Sequence, residues 1–169
     1  MEKVFGVEEI TYGSLERARE EAGLVRPERQ RPRDSQRSRV YAAEKAAFSE
    51  WAARLTLEQC EAYVAKVWAR VWDADFPTSN RGSQPPTVKD GRGTRRALSY
   101  GGTIGLPRWA RKEWVILHEL AHELTARKFA GHGPEYVACY LQLVEIFLGF
   151  EQREKLGAEF LKRRVKTRP

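Results

Sequence analysis

Apolar residues recur along this chain with two different periods, and the switches between them mark out its elements. Residues 13–22 read as a short helix capped by Ser14 and stopped near Gly23. Residues 26–33, with Pro27 and Pro32 among charges, read as a linker. A second helix is predicted from Asp34 or Ser35 through Tyr41, Ala43, Ala47 and Phe48 to Trp51. Thr56-Leu57-Glu58-Gln59 has the form of a capping box, and Cys60, Tyr63, Val64, Val67, Trp68 and Val71 follow it at helical spacing. Residues 77–86, rich in Pro, Ser, Asn and Gly, predict a loop.

The period then shortens. Thr87–Lys89 and Arg96–Tyr100, joined by Asp90-Gly91-Arg92-Gly93, predict a hairpin, with Thr103–Leu106 as a further strand ended by Pro107. From Trp109 the spacing is helical again. Gly131-His132-Gly133 breaks it, Pro134 suits the first turn of the next helix, and Tyr136–Leu148 is apolar on most sides. Gly149 separates that central helix from a last amphipathic one over about 151–163. The expected fold is α+β, with helices packed on a small antiparallel sheet.

Composition narrows the function classes. At 169 residues and 41% apolar content the chain can bury a core without disulfide staples, and its two cysteines, Cys60 and Cys139, are too few for a disulfide scaffold or a thiolate zinc site. The opening residues lack the apolar core of a signal peptide, and the longest apolar stretch, 136–150, is too short to span a bilayer. A cytoplasmic, non-membrane protein is expected. The net charge of +7 is uneven: residues 26–39 hold six Arg against two acids, and 161–169 hold five cations and no acid. The remaining chain is slightly acidic. Basic ends of this kind either bind phosphates or simply solubilise the chain, so a weak nucleic-acid contact is one expected partner.

The chemistry concentrates in His118-Glu119-Leu120-Ala121-His122, inside the apolar helical run that begins Trp114-Val115-Ile116-Leu117. Imidazoles four residues apart lie one above the other on one helix face and reach a single ion. Glu119, next to the first ligand, is placed to take a proton from water on that ion, the arrangement of zinc hydrolysis. A catalytic zinc needs a third ligand. His132, the one other histidine in the chain, is the candidate, with Glu135 and Glu145 on the following helix as competitors. The spacing from His122 to His132 is longer than in metzincins.

Several segments resemble a family of small metallohydrolases of actinobacteria and their phages. They are Pro32-Arg33-Asp34 through Ala43-Glu44, Ile104–Arg111, Leu117–His122 and His132-Gly133-Pro134-Glu135-Tyr136. The resemblance spans about residues 33–165. It leaves 1–32 as an extension with a short helix and a basic linker, and 166–169 as a basic tail. It implies a minimal zincin-like domain with Zn2+ on His118, His122 and His132, and Glu119 as catalytic base. A looser likeness to SprT-like metalloproteases covers 118–136. The resemblance implies a hydrolase and says little about what is cut. The ligand spacing with Glu119 as a built-in base makes a metallopeptidase acting on a protein or peptide substrate the expected function, and the alternative is a nucleic-acid-associated protein with a structural or vestigial metal.

Other residues draw weaker expectations. Tyr100, Tyr136 and Tyr140 are candidates to stabilise an oxyanion, with core packing the commoner role for such residues. Thr103–Leu106 can serve as an edge strand beside a cleft or as plain sheet. Glu123 reads as a solvated carboxylate. The Arg33–Glu44 block reads as a helix start with local ion pairs and no chemistry.

Overall fold

The computed structural model describes residues 32–51, 53–73 and 84–168. The expected helix over 13–22 and most of the linker lie outside these residues. The described residues fall in one compact unit.

The first two helices follow from their sequence. Helix α1, Arg37–Ala47, buries Val40, Ala43 and Glu44. Helix α2, Leu57–Asp73, opens with the expected capping box. The Gln59 amide donates to Thr56 Oγ1 at 3.1 Å, and the Thr56 amide donates to Gln59 Oε1 at 2.8 Å.

The sheet is α+β in its setting but not antiparallel throughout. Strands β1 (Thr87–Asp90), β2 (Leu98–Tyr100) and β3 (Thr103–Leu106) lie in the order β1-β3-β2. β1 runs parallel to β3, with Thr87 opposite Thr103, and β2 runs antiparallel to it, with Tyr100 opposite Thr103. The predicted β1–β2 hairpin is therefore replaced by a β2–β3 hairpin. Its turn is Gly101-Gly102, with φ of +58° and +75°. Two successive left-handed residues make the turn whose twist suits a two-residue hairpin. The 90–97 segment instead coils on itself: the Arg92 amide donates to Asp90 Oδ1 at 3.0 Å and the Thr94 hydroxyl to the Gly91 carbonyl at 2.7 Å. Thr103–Leu106 is thus the central strand, and β1 and β2 are the edges.

A short 3-10 turn, Arg108–Ala110, leads into α3, Glu113–Leu124. Helices α4, Pro134–Leu148, and α5, Phe150–Lys162, follow, split by Gly149 at φ +94°. α4 buries Tyr136, Val137, Cys139, Tyr140, Leu143 and Val144, as expected of a central helix. It packs between α3 and α5, and α1 lies across α5. Ile104 and Leu106 from β3, Ile116, Leu117 and Leu120 from α3, and Leu156 and Phe160 from α5 close the core. α3 is consequently gripped on its apolar sides, and its position is set by packing rather than by intrinsic propensity. No helix among the described residues is long and apolar enough to cross a membrane.

The β1–β3 junction carries a steric constraint. A Cβ on Gly91 would come within 2.6 Å of the Pro107 nitrogen and 2.9 Å of the Leu106 carbonyl carbon, both rigid backbone. Gly91→Ala should therefore lower stability by about 1–3 kcal/mol, as overpacked sites do, read as a lower midpoint in thermal or urea unfolding. An unchanged midpoint would show that the junction is looser than described.

Candidate metal centre

Three imidazoles converge where α3 meets the loop before α4. His118 and His122 project from the same face of α3, and their Nε2 atoms lie 3.2 Å apart. His132 Nε2 lies 3.4 Å from His118 Nε2. The potential ligand atoms of all three lie within 4.8 Å of one another, so the three histidines can hold one metal ion. Neither competing carboxylate joins them. Glu145 is exposed and pairs with Arg153 at 3.6 Å, and Glu135 stands outside the group. His132 does not cap α4 either, because the capping position is Gly133 and carries no side-chain bond.

What fixes the rings comes from the segment in which the sequence suggested no chemistry. Glu44, buried on α1, lies with Oε1 2.5 Å from His118 Nδ1. Asp34, just before α1, holds His132 Nδ1 through Oδ2 at 2.6 Å. Each carboxylate takes the Nδ1–H, which turns Nε2 toward the common centre and makes it a better donor to a metal. Gln36 adds a backbone tie: its Nε2 donates to the His132 carbonyl at 2.7 Å. Reading the Arg33–Glu44 block as ion pairs without chemistry is therefore incorrect. A signal for it existed: Gln36 and Glu44 share the helical stripe of Val40, Ala43 and Ala47, and polar residues on a buried stripe mark a bound group.

Aromatic rings pack around the imidazoles. Tyr136 stacks on His122 at 4.5 Å between centroids and meets His118 edge-on at 5.4 Å. Its hydroxyl donates to the His118 carbonyl at 3.4 Å. The Tyr140 hydroxyl sits between the Trp114 carbonyl, at 3.2 Å, and the Glu44 carboxylate. Burial raises both phenol pKa values well above the ordinary range, so the two remain neutral packing groups. Tyr100 lies on β2, exposed, with the Arg127 guanidinium 5.6 Å from its ring.

Tyr41 is the part-exposed tyrosine that covers the imidazoles. It is 41% exposed, stacks on His118 at 5.4 Å and meets His132 edge-on at 5.1 Å. The Arg37 guanidinium, one turn earlier on α1, lies 5.6 Å from its ring centroid, and its charge opposes the rise that burial gives the Tyr41 pKa.

Glu119 is 6% exposed, and the Ser99 backbone on β2 is among the groups that favour its charged form. Burial raises its pKa, the neighbouring His118 opposes the rise, and Glu44 and Glu123 add to it. Glu123 is not simply solvated, since it accepts the Ser99 hydroxyl. Burial by itself would drive the proton off His118, but the charge and hydrogen bond of Glu44 outweigh it, and the pKa of His118 is raised. His132 goes the other way, down to about 4, through burial and then the charge on His118, against the opposing pull of Asp34.

The chain matches no family model, no curated protein and no solved structure among those compared.

Two outcomes follow from the carboxylate ties. Glu44→Gln keeps a hydrogen-bonding group but removes the charge, and should weaken metal binding about 10–100-fold, with Asp34→Asn acting in the same direction. A competition titration against a chromophoric chelator measures this, and unchanged affinity in both variants would contradict the assignment. The pH dependence has a defined sign. His118 must lose its Nε2 proton to bind metal, so affinity should fall about tenfold per pH unit below its raised pKa. In Glu44→Gln the onset of that fall should move to lower pH, because the group that raises the pKa is gone.

Proposed function

We propose that this protein is a metal-dependent hydrolase, with zinc on His118, His122 and His132 and a peptide bond as the bond cut. The observation that carries the reading is the convergence of three imidazole Nε2 atoms beside a buried carboxylate on the same helix. An all-imidazole donor set suits Zn2+, and the carboxylate-held rings satisfy the further requirement that ligands be fixed from behind. When bound, the ion supplies Lewis acidity, polarising a carbonyl and making water acidic near neutral pH.

The remaining work falls to the chain's own side chains. Glu119 receives the proton of the attacking water and returns it to the leaving amine. Its raised pKa supports this role, since a stronger base is better matched to neutral pH. Tyr41 donates to the oxygen on which negative charge develops. The Arg37 guanidinium, 5.6 Å from its ring centroid, brings positive charge to the same place. Tyr136 and Tyr140 have spent their protons on the backbone carbonyls of His118 and Trp114. β2, with Leu98 and Tyr100 exposed beside α3, offers a strand along which an extended peptide can lie.

Cysteine chemistry is not a competitor. Burial pushes Cys60 up to about 11 and Cys139 up to about 12, so both thiols stay protonated. Two free, buried thiols also suit the cytoplasm, where we place the protein. This reading agrees with the zincin-like family that the sequence resembles.

Glu119→Gln should retain one zinc per chain and lose activity by about 10²–10⁴-fold on a diverse library of peptides and unfolded proteins. Equal turnover in the variant would remove Glu119 as the base. Tyr41→Phe should keep the metal and lose about 10²-fold or more in turnover, the scale of one oxyanion donor, with little change in KM. A loss confined to KM would reassign Tyr41 to substrate binding.

A further inference from the structure

Residues 32–39 of the first basic segment and 163–168 of the second are neighbours in space. Helix α5 ends in a motif normally completed by glycine: the Arg164 amide donates to the Leu161 carbonyl at 3.0 Å, and the Val165 amide to the Phe160 carbonyl at 2.9 Å. The left-handed residue here is Arg164, at φ +53°, the one non-glycine residue with positive φ among those described. An L-residue with a long side chain is disfavoured in that conformation, and glycine would fill the position without strain. The turn it makes sends residues 165–168 back along α1. The Arg39 guanidinium donates to the Arg164 carbonyl at 2.6 Å. The Gln36 amide group pairs with both backbone groups of Lys166, accepting at 2.9 Å and donating at 3.1 Å.

Residues 32–39 and 163–168 thereby meet as one surface holding seven cations and one acid. The acid, Asp34, is turned to His132, and Arg163 is paired with Glu159. Arg33, Arg37, Arg164, Lys166 and Arg168 are exposed. Lys166 and Arg168 alternate along a non-helical segment, so their side chains can fall about 6–7 Å apart on one side, close to the spacing of successive phosphates along a strand. The same Gln36 amide bonds to the carbonyl of His132, so this surface borders the metal centre directly.

We infer that the surface formed by Arg33, Arg37, Arg39, Arg164, Lys166 and Arg168 binds the phosphate backbone of a nucleic acid and holds that strand beside the metal centre. Phosphates spaced along a strand match several guanidinium and ammonium groups set along a surface, and their neutralisation releases counterions whatever the base sequence. Arginine at 164 fits this role: a strained position keeps a cation where glycine would serve the turn better. Binding needs no metal, so it stands apart from the proposed hydrolysis.

The test uses the full chain, without added metal, and fluorescein-labelled 20-mers of duplex DNA, single-stranded DNA and RNA, followed by anisotropy across a salt series. Binding should weaken with a log–log salt slope of about −3 to −5, that of four or five phosphate contacts. Arg164→Gly separates structure from binding. It should melt no lower than wild type, since it relieves the positive φ, yet bind about threefold to tenfold more weakly, with a slope smaller by about 0.7–0.9. Lys166→Gln and Arg168→Gln should weaken binding similarly, whereas Lys66→Gln, which removes an equal charge from α2, should not. The inference is overturned by a flat salt response, by full affinity in Arg164→Gly, by an equal loss in Lys66→Gln, or by tighter binding to anionic phosphatidylserine vesicles than to any of the three oligonucleotides.

Discussion

A buried imidazole has two nitrogens to satisfy, and the way this protein satisfies them organises the site. His118 and His132 each have one nitrogen against a carboxylate, Glu44 or Asp34, and the other turned to a shared centre. Neither partner can be placed alone. A carboxylate as deeply buried as Glu44 would cost several kcal/mol without a cation or donor, and His118 would be driven neutral without Glu44. The two groups license each other's burial, and the result is a ring whose orientation is fixed before any ion arrives. Preorganisation of this kind spares the metal the work of ordering its own ligands.

The rest of the fold can be understood as the means of holding α1, α3 and the 125–133 loop in that relation. α3 is seated by Ile116, Leu117 and Leu120 against α4 and the sheet. α1 contributes little apolar surface of its own and is carried mainly by α5, by Gln36, and by Arg39 reaching the carbonyl of Arg164. β2 completes the arrangement from the other side, with the Ser99 hydroxyl donating to Glu123 and the Ser99 backbone favouring the charged form of Glu119. Three separate parts of the chain thus meet at one small volume, and the opposite shifts of His118 and His132 are the electrostatic consequence of crowding them there.

Much of this was legible in the residues, and the misses have physical causes. The helices were read from apolar period and capping, and the Thr56–Gln59 box is present with both of its bonds. His118, His122 and His132 were brought together by spacing and by glycines around the loop. The sheet differs from expectation because Asp90-Gly91-Arg92-Gly93 looks like a turn, while Gly101-Gly102 is the shorter and more decisive one. The Glu44 and Asp34 contacts join residues 74 and 98 positions apart, and no local pattern encodes such a pairing. Glu44 could still have been suspected, as a carboxylate on an otherwise apolar stripe. Tyr41 was passed over for the opposite reason. It lies beside that stripe and looks like an ordinary surface tyrosine until the fold brings His118 and His132 under its ring.

The central claim is that the three imidazoles form a single metal centre through their Nε2 atoms. X-ray absorption at the zinc edge of the zinc-loaded protein addresses it directly, because imidazole gives a distinctive multiple-scattering pattern and Zn–N lengths near about 2.0–2.1 Å. The account predicts three imidazoles with one or two further light-atom ligands, and one zinc per chain. A shell containing sulfur near about 2.3 Å, or fewer than three imidazoles, would contradict it.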